Sequence, residues 1–334
     1  TLEKVTFAGS VYGKGAFQQN PALRNVTFTG GKAYEVGEQA FWQCTALSSV
    51  TFGSGLTSIG AYAFRETAVT SVSFPETLKT IGDYAFYKCA AAVPIEGGES
   101  YETPTLTSVT FAEGIESIGD YAFYIAALTE VNFPASLKSI GAYAFYYNHT
   151  LVSAEDGTDV KTSTLKFINF NEGLESIGTY AFYASAVEML HMPASLTEYG
   201  DLAFLGCSSL KEISFADGST NIGGKDVFQC KALEKVTFGS SNGLVIAART
   251  FYGASALKEI VFDENCTVKE IGDYAFGNTA LTEFTLPEVE VMGRQVFYHC
   301  TGLTLTVPYT EDALPEGWSA NWNTTADAKV VYAG

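Results

Sequence analysis

From Leu106 to Phe145 the chain reads LTSVTFAEGIESIGDYAFYIAALTEVNFPASLKSIGAYAF, and its apolar positions follow two rhythms in turn. The first is the alternating run L-x-x-V-x-F, as in Leu106, Val109 and Phe111. Period-two alternation of β-branched and aromatic residues predicts a short strand with Val and Phe facing a core. The second is L-x-x-I-G-x-Y-A-F, too short for a long helix, and it predicts a return path of turn or short helical turn. Shifting the stretch by 22 residues lays Leu106 on Leu128, Val109 on Val131, Ile118 on Ile140, Gly119 on Gly141 and Phe123 on Phe145. Self-similarity at such a period marks a solenoid, in which each unit buries its apolar face only against its neighbours.

With the Phe of the Y-A-F step as anchor, units fall at Phe17, Phe41, Phe64, Phe86, Phe123, Phe145, Phe182, Phe204, Phe228, Phe251, Phe276 and Phe297. The steps are 21 to 25 residues, except for two of 37. Stacked at about 4.8 Å per unit, the strands make a parallel sheet. The residue before the anchor is small in most units, which lets coils approach closely. Gly60, Gly82, Gly119, Gly141, Gly178, Gly200 and Gly272 are expected at positive φ. Asp83, Asp120, Asp201 and Asp273, which follow four of them, are expected to cap a short helical turn.

The units SVSFPETLKTIGDYAFYKC and EVNFPASLKSIGAYAF closely resemble the BspA-like bacterial leucine-rich repeats, and the resemblance runs through roughly residues 1 to 308. It implies an α/β repeat solenoid, a leucine-rich-repeat superhelix with a parallel sheet of short strands and turn or short-helix returns. The resemblance also implies a secreted or surface-anchored bacterial protein, with adhesion or host-protein binding as expectations. It carries no catalytic residues.

Two insertions interrupt the array. Phe64 to Val69 and Phe123 to Leu128 are each 5 residues, whereas Phe86 to Leu106 and Phe145 to Leu165 are each 20, so residues 90–104 and 149–163 enter at one phase. Both are acidic and rich in turn residues, and they are expected to emerge on one edge about 10 Å apart. From Pro308 the pattern fails, and residues 309–334 are expected to form a C-terminal cap over an otherwise open core. One elongated domain is expected, starting inside a repeat.

Composition narrows the partners. With 19 Lys plus Arg against 37 Asp plus Glu, the formal charge of -18 opposes nucleic acid and anionic membrane surfaces. No run of residues is long and apolar enough for a direct membrane insertion. Six Cys are too few for a disulfide scaffold at this length. Cys44, Cys89, Cys207 and Cys300 each fall three residues after an anchor, where other units place Asn20, Thr67 or Ala126. A structural thiol in a small-residue slot is favoured, with metal binding or a Cys207–Cys230 disulfide left open.

Catalytic chemistry is not expected, nor any cofactor. Nucleophilic catalysis needs a base near Ser, Cys or Thr, and His149, His191 and His299 fall at three different repeat phases. Glu155, Asp156 and Asp159 could offer oxygen ligands to calcium, but their spacing misses the EF-hand pattern, so a solvated acidic loop is expected and no metal site.

The candidate site comes from the outward strand positions. One row holds small polar residues for most of its length but includes Asn169 and His191, while its neighbour changes midway from Ser and Glu to Phe167 and Met189. Phe167 and Met189 are 22 residues apart, as are Asn169 and His191, so the four are expected on neighbouring strands of one face, flanked by the insertions. Exposed apolar groups in a polar rim are candidate contact anchors. A further row, Trp42, Tyr87, Tyr124, Tyr146, Tyr183, Tyr252 and Tyr298, is expected to seal the turn side, with glycan stacking as the minority reading. The sequence thus predicts a monomeric, extracytoplasmic binding module for a surface protein or glycan, against the alternative of a structural spacer.

Overall fold

The computed structural model describes residues 2–9, 13–94, 100–153, 159–324 and 328–333. The chain divides into two compact units, Thr1–Asn171 with Ala184–Ala186, and Glu172–Tyr183 with Val187–Gly334. In each, a coil contributes one short strand to each of two parallel ladders and closes through a turn.

The alternating runs form the first ladder. In the first unit Lys4–Phe7, Asn25–Phe28 and Ser49–Thr51 pair in parallel with Val5, Val26 and Val50 in register. Ser71–Ser73 pairs with Ser108–Thr110, and Glu130–Asn132 with Phe167–Asn169. In the second unit the same ladder runs through Met189–Met192, Glu212–Phe215, Lys235–Phe238 and Glu259–Phe262. The L-x-x-I-G stretches form a second ladder, which the pattern does not announce as strand. In the first unit it joins Tyr34–Val36, Leu56–Ile59, Thr80–Ile81, Ser117–Ile118 and Ser139–Ile140.

The architecture is therefore a β-solenoid of leucine-rich-repeat type with almost no helix, and the expected α/β character with short-helix returns is replaced by turns. Among the described residues the one helical element is the 3-10 turn Glu311–Ala313. The reason lies in two left-handed residues per unit. Tyr62, Tyr84, Tyr121 and Tyr143 have φ of 59°, 56°, 56° and 57°, and Glu66, Lys88, Ile125 and Tyr147, four residues later, have 56°, 49°, 54° and 53°. A right-handed helix cannot contain them. Backbone bonds to the next coil offset their strain, as Tyr62 N–H donates to Asp83 O at 2.8 Å, Phe64 N–H to Ala85 O at 2.8 Å and Glu66 N–H to Tyr87 O at 2.9 Å.

The glycine before each turn is required for a different reason from the one expected. None of the seven has positive φ. A Cβ on Gly119 would instead sit 2.7 Å from Asp83 N and 2.7 Å from Gly82 C, so only a missing side chain lets successive coils pass. The following aspartates do not cap a helix either. Asp83 Oδ1 accepts from Asp120 N–H at 2.9 Å, and Asp120 Oδ1 from Ala142 N–H at 2.7 Å, so these carboxylates tie each coil to the next.

Anchor phenylalanines stack down the core. Centroid separations are 5.5, 5.2, 5.1, 5.4 and 5.2 Å from Phe17 to Phe145, and 5.3, 5.4, 5.5, 5.6 and 5.9 Å from Phe182 to Phe297. The slot three residues on is a hydrogen-bonding slot as well as a small one. Thr67 Oγ1 donates to Phe64 O at 2.9 Å, while Cys44 Sγ reaches Phe17 O at 3.0 Å and Cys300 Sγ reaches Phe276 O at 3.1 Å. All six thiols are free and buried, so the Cys207–Cys230 disulfide is not formed.

Residues 309–334 extend both ladders of the second unit. Gly317–Trp318 pairs with Val291 and Met292, and Lys329–Tyr332 with Thr304–Val307. Trp318 and Trp322 are buried against one another with ring centroids 5.1 Å apart.

Candidate functional site

Each sequence-predicted residue sits outward on a strand, because the buried Ile168 between Phe167 and Asn169, and the buried Leu190 between Met189 and His191, fix the pleat. In the first unit Phe167 is 60% exposed and Ile168 behind it is buried. Phe167 lies beside Glu130, and Asn169 beside Asn132, in the parallel register. Asn169 Nδ2 donates to Asn132 Oδ1, and Asn132 Nδ2 donates to Glu130 Oε1 at 2.7 Å. The amides and the carboxylate therefore form a polar border to one open phenyl ring. In the second unit Met189 is 62% exposed beside Glu212, and His191 beside Ser214 with Nδ1 2.9 Å from its Oγ.

The insertions are antiparallel hairpins rather than irregular loops. Ala90–Pro94 pairs with Ser100–Pro104, and His149–Ser153 with Asp159–Ser163. Ser100–Pro104 and His149–Ser153 approach within 8 Å between Cα atoms, so the two hairpins stand side by side. At the base of the second, His149 is buried, with Nδ1 2.9 Å from Tyr147 O, and burial pushes its pKa down. His299 stacks on Tyr298 at 4.0 Å. Glu155 and Asp156 lie outside the described residues. Among the described residues no three His, Cys, Asp or Glu side chains are grouped to hold a metal ion.

Two tyrosine stacks lie on the turn side of the first unit. Tyr87, Tyr124 and Tyr146 stack at 4.9 and 5.0 Å. The second stack, Tyr62, Tyr84, Tyr121 and Tyr143, with spacings of 4.8, 4.6 and 4.6 Å, uses the Tyr of Y-A-F, whose repetition is the signal that could have announced it. Arg65 closes one end, its guanidinium 4.9 Å from the Tyr87 ring and 5.6 Å from Tyr62. Interior rings cover one another's faces and present edges outward, which leaves little of the open π-face on which a sugar ring stacks.

Burial, with the Tyr87 and Tyr146 hydroxyls adding to it, pushes the Tyr124 pKa up to about 12. The folded value lies above the unfolded one of about 10. The stack's contribution to stability is thus fully present below pH 10 and lost as pH rises through the folded value. We expect the urea midpoint to hold between about pH 7 and 9 and to fall above about pH 10, less steeply in Tyr124→Phe. An unchanged slope in the variant would mean that this hydroxyl does not report on the fold.

A polar shelf escapes the sequence reading, because the second residue after each anchor shares a phase but not a residue type. Gln19 Nε2 donates to Gln43 Oε1 at 3.1 Å, and Gln43 Nε2 to Glu66 Oε2 at 2.8 Å. Burial pushes the Glu66 pKa up, but bonds from Gln43 and Arg65 and the Arg65 charge outweigh it and hold the carboxyl below its usual range.

The BspA type leucine rich repeat region, in six copies, matches residues 2–93, 95–162 and 160–245. A leucine-rich repeat protein from Bacteroides ovatus ATCC 8483 is similar at 25% identity and a TM-score of 0.65, over 99% of this chain and 83% of that one. A leucine-rich repeat protein from Eubacterium ventriosum ATCC 27560 matches at 19% identity and a TM-score of 0.46, over 96% and 94%. A leucine rich cell surface protein from Faecalibacterium prausnitzii A2-165 matches at 22% identity and 0.37, over 78% and 83%. No curated protein matches the chain. With most of its units matched by that repeat, the chain belongs to the BspA-type leucine-rich repeat family.

Proposed function

We propose that this chain is a non-enzymatic, extracytoplasmic binding module that recognises a surface protein or glycan through its outward strand positions, with the paired hairpins adding contact area. The family and fold make it a protein-interaction or structural module. The observation that carries the binding reading is the exposure of Phe167 and Met189 on strands whose other outward positions are mostly polar. Large apolar side chains held open on a rigid ladder cost hydration in the free protein and contribute when a partner covers them. A standard interface covers about 800 Å² per partner, so single side chains do not suffice and the hairpins must contribute. A protein fits better than a glycan, since the tyrosine faces are mutually covered.

Screening the intact chain against panels of surface proteins and glycans tests this. A ligand so found should bind more weakly by about 1 to 2 kcal/mol in Phe167→Ala or Met189→Ala, with fold stability unchanged. Affinity that survives both substitutions and deletion of both hairpins would place the site elsewhere. A chain that binds nothing in either panel is a spacer.

A further inference from the structure

The first hairpin stands as a wall beside the polar shelf, and the edge of Ala90–Pro94 that faces away from Ser100–Pro104 has no strand partner among the described residues. Ala90 lies opposite Pro104, Ala91 opposite Thr103 and Ala92 opposite Glu102. Pro104 has no N–H, and Thr105 N–H donates to Cys89 O at 2.8 Å, so Ala90 and Ala92 occupy the non-hydrogen-bonded positions of the antiparallel pair. Their backbone groups point away from the partner strand. Ala90 N–H is used, donating to Thr67 O at 2.8 Å on the preceding coil. That contact shows which way the edge faces. The Ala90 carbonyl and the Ala92 N–H and carbonyl have no partner among the described residues.

The preceding coils carry no insertion, and among the described residues no strand covers this edge. In its place is a groove of about 810 Å³, lined on the hairpin side by Ala90, Ala91, Ala92 and Glu102 and on the other by Gln19, Gln43 and Glu66, with Lys88 between them. That volume falls in the range of ligand sites, about 300 to 1,000 Å³. Natural edge strands are usually blunted by charge, proline, bulges or cover, and here Pro94 ends the outward N–H row, so the open stretch is limited to the three alanines. Among the described residues no aromatic ring lines the groove. The shelf offers instead a run of side-chain amides whose spacing follows the coils. Glu66 is paired with Arg65 at 2.9 Å, and the other two charged lining residues, Lys88 and Glu102, are of opposite sign, so the groove is close to neutral.

We propose that an extended, uncharged polar peptide docks here by strand addition to the outer edge of Ala90–Ala92, with its polar side chains on the Gln19–Gln43–Glu66 shelf. Backbone pairing supplies affinity and the shelf supplies preference, the usual division in strand-addition recognition. The proposal goes beyond the strand-face reading: it is a second site, separate from Phe167, and stands or falls independently of that residue.

The test is selection of a random-peptide display library on the full chain, followed by titration of the synthetic winners. We expect winners whose affinity falls about tenfold in Ala92→Pro, which deletes the outward N–H while a proline remains tolerated on an edge strand. N-methylation along the peptide should abolish binding at alternate residues only, because every second N–H faces the protein. Phe167→Ala should leave these affinities unchanged, which separates this site from the strand face. An unfolded Ala92→Pro variant leaves the N-methyl scan as the deciding measurement. No enriched sequence, an N-methyl profile without alternation, or affinity that follows Phe167 would overturn the proposal. So would sedimentation showing that the edge pairs with a second copy of this chain and takes no peptide.

Discussion

Phe123→Ala should lower the free energy of unfolding by about 3 to 5 kcal/mol, at the upper end of what one core truncation costs. Phe123 is fully buried, stacked on Phe86 at 5.4 Å and on Phe145 at 5.2 Å, and met edge-on by Phe111 at 5.9 Å. Removing the ring leaves a cavity that neighbours on both sides cannot close, since their own positions are fixed by the backbone bonds of the turn. Phe123 N–H donates to Ala144 O, and Phe86 N–H to Ala122 O, both at 2.8 Å. A reversible denaturant titration reads the loss. A change below about 1 kcal/mol would mean that the anchor is not core.

Gly119→Ala is expected to cost about 2 to 3 kcal/mol, from overpacking rather than loss. The added Cβ meets backbone atoms of the preceding coil at 2.7 Å, and no rotamer relieves a backbone clash. Gly31→Ala is the control, because a Cβ there meets only Ser54 Oγ at 4.0 Å. It should be neutral or slightly stabilising through the unfolded chain. Equal effects at the two positions would remove the close-approach account of the repeat glycine.

Much of this fold is legible in the sequence because the repeat states the same physical problem a dozen times. The inward Val and Phe of each strand, the anchor Phe and the small slot after it follow from period and burial alone. The features that differ from expectation share one cause. The turn residues are governed by contacts with the next coil, at distances along the chain that local propensity does not see. Tyr62 and Glu66 look like helix-compatible residues and adopt left-handed φ because the following coil offers carbonyls to their N–H groups. Gly119 serves close approach rather than positive φ, and Asp83 bridges to Asp120 rather than capping a helix. At the candidate site, outward placement of Phe167, Asn169, Met189 and His191 is readable from alternation. The hairpins are not, since their composition speaks for loops while pairing between their own two halves decides for strands. The shelf of Gln19, Gln43 and Glu66 is hidden because its residues differ in type and share only a phase.

The methionines make the proposed binding surface directly measurable. The chain has three, of which Met189 is 62% exposed while Met192 and Met292 are buried. Dilute peroxide oxidises an exposed thioether faster than a buried one. With a ligand recovered by screening in place, sulfoxide formation at Met189 should slow severalfold, with Met192 and Met292 slow in both states as internal controls. Oxidation of Met189 at the same rate in the free and the bound chain would contradict recognition through the outward strand positions.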